Sequence, residues 1–558
     1  MTRSSVLRLS SLALAMLAAP AFAQQAPPTS GQLLQQAQPP QSPLPPHEPG
    51  LQIQSPVAAH VTDNTPFAVK QIVLRGNTIF DTNTLHALVA DGEGRTQTLT
   101  SLTALAHRIT DYYRAHGYPL SRASVPTQDL SDGVVQFNII EARYDQVQVT
   151  NHSRVQTSLL NATLSPLQSG QPVTQQALDR QLLLLNDLPG VQSHAALGPG
   201  SAPGTSDLSV DAQALSPVTG NLTLDDGGDR YTGLIRLGGN VAVNNLTGLG
   251  DQLSVGLLAS DEHMHYGHIA YDFALNGAGT RFGVAYSALS YQLGEHLSDL
   301  DARGHATEGS AWLSQSIVRS PTTNVSARLE VDNRHLEDDT GATDVHDDRH
   351  TWDWTASTTF DHRDSWEGGG VTQAQLSVTR GQLGFDNAAA QASDAVTADT
   401  QGHELHWDGS VSRLQTITAT TRLYVGLSGQ YSHRNLDSSE QFLLGGMQSV
   451  RGYEVSTLAG ASGYLATVEL RHDLALPGGA WQGSVFADQG GLWINPQSWA
   501  GDTGSNHATL SSVGLGLNWA GPDQWLAQVQ VGQPVGSTPE LAGRRPSTRA
   551  WVQLSKGF

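Results

Sequence analysis

What this 558-residue chain lacks narrows what it can do. It has no cysteine, so no stray thiol can pair wrongly in an oxidising compartment. Only 30 Lys and Arg stand against 51 Asp and Glu, a formal net charge of −21. That balance argues against a generalised nucleic-acid surface. Beyond the N-terminus no run of about 20 apolar residues occurs, which argues against membrane helices. The Gly-x-x-x-x-Gly-Lys phosphate loop, the Gly-x-Ser-x-Gly elbow and the His-Glu-x-x-His helix are missing. No enzyme activity and no cofactor is expected. Charged residues are only 15% of the chain, and mean hydropathy is −0.27, close to a soluble protein's value.

What is present begins with a secretory leader over 1–23. Arg3 and Arg8 form its positive start, 9–19 its apolar run, and Ala21-Phe22-Ala23 its cleavage site, with Gln24 first in the mature chain. The apolar run is too short for a membrane anchor. Residues 24–65 are rich in Gln and Pro, a composition that favours extended chain over a packed core. They read as a tether. Within it, 30–38 can form one short helix bearing Leu33 and Leu34, about 14 Å long at 1.5 Å per residue.

From 66 the pattern becomes β-α-α-β-β. A strand at "VKQIVLRGN" leads to a helix over 81–90 with Asp81 as N-cap, then to "SLTALAHRITDYYRAHGY". Leu102, Leu105, Ile109, Tyr112 and Tyr113 recur there at helical spacing and read as core. Two strands close the unit. The same order returns from 143, where Thr174 caps the second helix. This is an internal repeat of about 75 residues, with modules at 66–142 and 143–215.

From 217 to 558 the helical signal vanishes. Sixteen segments alternate apolar with polar or small residues, from 218–227 to 548–558, and include 306–318, 324–335 and 349–363. Connectors after even-numbered segments are mostly tight, such as "GAGT" and "GPD". Those after odd-numbered ones are often long and polar, such as "DDTGATDVHDD". Short turns on one side and long loops on the other mark an outer-membrane β-barrel of about 16 antiparallel strands, and a water-filled lumen explains the low hydropathy. The last strand ends on Phe558 with Ala550, Val552 and Leu554 on its face. A terminal aromatic is the signal of barrels inserted by the outer-membrane assembly machinery, although Lys556 interrupts that face.

With the modules in the periplasm, 433–461 is a loop on the outer side. Within it, 441–455 carries a single cation, Arg451, at a point where Gly445, Gly446 and Gly452 let the chain turn. In the thirteenth strand Phe486, Asp488 and Gly490 share one face. If that face lines the lumen, Arg451 can reach inward and fork onto Asp488. The alternative from spacing alone is a solvated surface arginine. The segments "DEHMHYGH" and "EDDTGATDVHDDRH", with His263 and His265 on one strand face, read as solvated residues and not as a metal site.

From 66 to 558 the chain resembles the outer-membrane transporters of two-partner secretion, the TpsB family. The resemblance rests on "GYPLSRASVPTQDLSDGVVQFNIIEA", on "DDGGDRYTGLIRLGGNVAVNNLTGLGDQLSV", on the loop motif Val450, Arg451, Gly452 and Tyr453, and on the barrel motif Phe486, Asp488 and Gly490. It implies two polypeptide-transport-associated (POTRA) modules that capture an unfolded partner. The barrel would secrete that partner, an adhesin, haemolysin or toxin, through the outer membrane. It also favours the inward-facing arginine. Outer-membrane lipids, lipopolysaccharide and the barrel assembly machinery are the other implied partners. The family's longer plug helix is here reduced to 30–38. An assembly insertase of the same superfamily is the alternative, although such proteins usually carry more modules. A passive porin would need none.

Overall fold

Sixteen antiparallel strands form a closed barrel, from Val218–Asp225 to Arg549–Gly557. These two pair directly, Asn221 opposite Gly557 and Asp225 opposite Gln553. Phe558 extends the seam. Its amide donates to Gly220 O at 3.0 Å, and Gly220 N donates back to Phe558 O at 3.1 Å. The structure is a computed structural model describing residues 27–38, 51–53, 65–500, 502, 504–543 and 547–558. The leader, with Ala23 and Gln24, lies outside the described residues. No described helix is long and apolar enough to cross a membrane. Instead, Leu222, Leu224, Leu237, Val255 and Leu257 stand exposed on the outer wall while their neighbours face inward. A lipid-facing apolar band on a barrel has that pattern. Lys556, which breaks the last strand's face, points its ammonium at Asp523 O beside the Trp525 ring, an amphipathic stem with a charged tip at the boundary.

Three strands run further than the sequence pattern indicates. The sixth, seventh and eighth are Ala302–Arg319, Thr323–Thr340 and Val345–Asp364. Part of the expected "DDTGATDVHDD" loop is therefore paired strand. Beyond the bilayer the outer face meets water and the inner face meets largely polar groups of the loop and helix, so apolar alternation stops while the backbone ladder continues.

Each N-terminal module lays two helices on a small sheet. In the first, Gln71–Arg75 pairs parallel with Val134–Ile140, and Arg122–Ser124 pairs antiparallel with it. Leu102, Leu105, Ile109 and Tyr113 of helix Leu99–Ala115 are buried on that sheet; Tyr112 packs at its edge. In the second, the sheet comprises Arg143–His152, Val191–Pro199 and Thr205–Ala214. The tether reading missed a fourth strand. Leu51–Ile53 adds to the free edge of Val191–Pro199, parallel to it. The second module sits on the barrel's periplasmic turns: Arg319 forks onto Asp187 at 2.8 and 2.7 Å, and Arg180 donates to Ser316 O and Ile317 O, both at 3.0 Å.

Glu141 ties the first module together. Its buried carboxylate accepts from the amides of Thr78 and Ile79 at 2.7 and 2.8 Å and from the Tyr113 hydroxyl at 2.7 Å. Burial pushes its pKa up, but the hydrogen bonds from Thr78, Ile79 and Tyr113 outweigh that and hold it below the ordinary 4.5. A depressed carboxylate contributes stability that is complete above the unfolded pKa and lost as pH falls through the folded one. Glu141→Gln should therefore weaken the module by about 1.5–3 kcal/mol at neutral pH, the worth of a hydrogen bond to a charged group. The gap should narrow as pH falls below the ordinary value. Amide exchange in the intact protein across that range would check it; a gap independent of pH would contradict it.

Candidate functional site

Loop 433–461 turns back into the barrel. Gly445 and Gly446 take φ of 108° and 110°, where a side chain would be strained. Between them and a short pairing of Phe442–Leu444 with Leu458–Gly460, the tip reaches the inner wall. Val450 and Tyr453 are buried there with Leu444, Leu458, Leu492 and Leu510. Gly452 allows the closest approach: a Cβ on it would lie 2.8 Å from Ser512 Cβ and 2.9 Å from Pro534 N.

That approach delivers Arg451 to the lumen face of the twelfth and thirteenth strands, Ser462–Leu474 and Ala480–Trp493. Its Nε and Nη2 donate to the two Asp488 oxygens at 2.9 and 2.8 Å, and its backbone amide donates to Oδ2 at 3.2 Å. Thr467 and Ser512 hydroxyls complete the Asp488 shell at 3.1 and 3.2 Å. Arg451 Nη1 donates to Glu469 at 2.8 Å. The guanidinium lies 3.3 Å from the centre of the Phe486 ring. Arg451 and Asp488 are only 5% and 3% exposed, so the pair is shielded from lumen water. Gly490 makes room for Leu444, whose carbons lie 2.7 Å from where its Cβ would be.

Three contributors were not singled out from the sequence. Glu469 shares lumen parity with Thr467 and Arg471 and takes a bond from each of Arg451 and Arg471, at 2.8 and 3.0 Å. Gly514 and Gly532 are the others. A Cβ at 514 would lie 2.3 Å from the Phe486 ring, and one at 532 would lie 2.5 Å from Arg451 O. Paired parity of charge on neighbouring strands could have found Glu469.

The same loop is held a second time, with the signs reversed. Asp437 accepts from Arg349 at 2.8 Å, and Glu440 meets Arg334. Arg349 also meets Asp338 at 3.0 Å, and Arg334 meets Glu308 and Asp353 at 2.7 and 2.9 Å. Helix Ser30–Ala37 is wedged between this network and the fifth to seventh strands. Thr29 caps it, Ser30 N and Oγ donate to Asp338 at 2.8 and 2.9 Å, and Gln36 reaches Ser456 at 2.8 Å. Leu33 and Leu34 are buried against Tyr231, Met264, Tyr266 and Leu336. Beneath the loop tip a polar cavity of about 870 Å³ opens, lined among others by Arg451, Glu469, Gln528 and Gln530.

A 16-stranded barrel preceded by POTRA-type modules, with an outer loop locked into its lumen, defines an outer-membrane barrel protein with periplasmic modules. The model of the haemolysin secretion/activation proteins ShlB/FhaC/HecB matches residues 204–519, and that of the ShlB-type POTRA domain matches 67–142. The chain belongs to the ShlB/FhaC/HecB family and is an outer-membrane transporter of two-partner secretion. The haem/hemopexin transporter HuxB of Haemophilus influenzae is 26% identical over 513 residues, covering 90% of this chain and 89% of the relative. The outer membrane transporter CdiB of Dickeya dadantii is 27% identical over 502 residues, covering 87% and 86%. The structure of CdiB from Escherichia coli superposes with a TM-score of 0.70 at 22% identity, covering 90% of this chain and 93% of that one. BamA from Haemophilus ducreyi shares the fold at a TM-score of 0.52 and 14% identity. The match to transporters over about nine-tenths of the chain favours secretion over barrel assembly.

Proposed function

We propose that the two POTRA modules, 66–142 and 143–215, bind an unfolded exoprotein in the periplasm. The barrel then passes it outward once helix 30–37 moves aside. The observation that carries this reading is the loop clamped inside the lumen by Arg451, Asp488 and Glu469, above an open polar cavity. The motif residues Val450, Arg451, Gly452 and Tyr453, with Phe486, Asp488 and Gly490, hold the loop in the form that transport requires; none does catalytic chemistry. Extended client segments suit sheet edges and helix–strand grooves, where backbone hydrogen bonds need no fixed sequence. The cargo is of adhesin, haemolysin or toxin type, and folding outside biases its movement. Phe558 at the seam directs insertion by the assembly machinery into a lipid and lipopolysaccharide bilayer.

Deleting 66–142 should leave a folded barrel in the outer membrane and strand the partner in the periplasm. Co-expression with the exoprotein from the neighbouring gene, followed by assay of medium and periplasm, tests it. Normal secretion by the deletion variant would end the reading.

A further inference from the structure

The extended seventh and eighth strands present two different faces beyond the bilayer. Their inner face carries Arg334, Leu336, Asp338 and Arg349, already engaged with the helix and the loop. Their outer face has another composition. In the register His335 stands opposite His350, Glu337 opposite Asp348, and Asp339 opposite His346. Six consecutive outward positions are thus all imidazole or carboxylate. On the eighth strand the same face continues through Trp352 and Trp354, which are 52% and 56% exposed. Aromatics of that kind mark the lipid boundary, so the histidine and acid ladder lies outside it, in water.

We propose that this face binds a divalent transition-metal ion of the zinc class through His335, Asp348 and Asp386. One ligand atom of each of these residues lies within 4.8 Å of the other two. Tetrahedral ligands about 2.0–2.2 Å from a shared zinc ion are about 3.3–3.6 Å apart. Side-chain movement of up to about 1.5 Å closes the site. His335 and Asp348 come from neighbouring strands and Asp386 directly follows the ninth strand, Gly370–Phe385; Asp386 N donates to Asp348 O at 2.8 Å, which fixes their backbones. Asp348 Oδ1 is shielded from solvent and faces His335 Nε2 at 3.3 Å. A metal ion held between the two would take the place of the imidazole proton that this contact requires.

Two further groups complete the surroundings. His350 Nδ1 lies 2.9 Å from Asp386 Oδ2 and orients that carboxylate, as outer-shell partners of metal ligands do. Its ring lies over Gly384, where a Cβ would come within 2.7 Å of Nε2. Glu337 Oε1 lies 3.0 Å from His335 Nε2, a hydrogen bond that this nitrogen gives up when it ligates the ion. Imidazole among the ligands selects zinc-class ions over calcium and magnesium, which prefer all-oxygen shells. The ion would tie the end of the ninth strand to the seventh and eighth, whose inner faces hold helix 30–37 and loop 433–461. His263 and His265 join no such group among the described residues.

The test uses full-length protein without a polyhistidine tag, purified in detergent, loaded with zinc or cobalt(II) and dialysed. About one zinc per chain should be retained, with a cobalt visible spectrum of low coordination number. His335→Ala/Asp348→Asn should lower zinc affinity by at least about a hundredfold, and His350→Gln by about 10–100-fold. His263→Ala/His265→Ala should change nothing. Heat-modifiable migration confirms that each variant is a folded barrel. If the double variant fails to fold, His335→Gln alone carries the same expectation. Zinc retention equal in wild type and variant, no retention at all, or displacement by equimolar calcium would overturn the proposal.

Discussion

Arg451→Ala is expected to lower secreted partner by about a hundredfold or more while the barrel stays folded in the membrane. The reason lies in what the substitution leaves behind. Asp488 accepts two of its five hydrogen bonds from the Arg451 side chain, and Glu469 accepts another at 2.8 Å. Both carboxylates are buried. Removing one partner of such a group costs about 3–5 kcal/mol, because the other charge stays buried without compensation. At about 1.4 kcal/mol per tenfold, that moves the loop from locked to released. The barrel's ladders do not pass through Arg451, so insertion survives. Asp488→Ala should do less harm, since Arg451 keeps Glu469. The double variant should be no worse than Arg451→Ala, because it leaves only Glu469 without Arg451, and Arg471 remains beside Glu469. Secreted partner and heat-modifiable migration measure both arms. Strictly additive losses in the double variant would show that the two residues act separately.

The sequence made the barrel legible because one physical constraint shapes it everywhere. Lipid on one side and water on the other enforce alternation, and Phe486, Asp488 and Gly490 could be put on one face from parity alone. The same rule fails where lipid ends. Thr340 and Val345 lie at strand ends where neither face meets lipid, so the pattern there looked like loop. The second clamp was invisible for a different reason. The lone cation of 441–455 invites a search for its anion, whereas Asp437 and Glu440 are two acids among 51 in the chain. Only the fold shows that Arg349 and Arg334 face them. The strand at Leu51–Ile53 is equally hidden, since three residues form it by borrowing a sheet edge built about 140 residues later.

Leu33→Glu/Leu34→Glu is expected to open the pore. Both side chains are fully buried, at 0% and 1% exposure, among Tyr231, Met264, Tyr266, Leu289 and Leu336. Burying two leucines contributes about 3–6 kcal/mol, and two carboxylates there would lose that and add a desolvation cost. The helix is only eight residues long. So short a helix is marginal on its own in water, so it persists only while docked. Its polar contacts, to Asp338, Glu308, Ser438, Ser439 and Ser456, do not replace the apolar stripe once it is lost. The docking equilibrium should shift by at least about a hundredfold towards release. In planar bilayers the purified variant should therefore spend far longer in open states than wild type. Ser30→Ala, which removes one hydroxyl bond to Asp338, should produce a small change in the same direction. Loop 433–461 keeps its own anchors through Arg451, Arg349 and Arg334, so the variant separates the helix from the loop as the barrier to ions. Conductance identical to wild type, from protein shown to be folded by heat-modifiable migration, would mean that this helix does not close the channel.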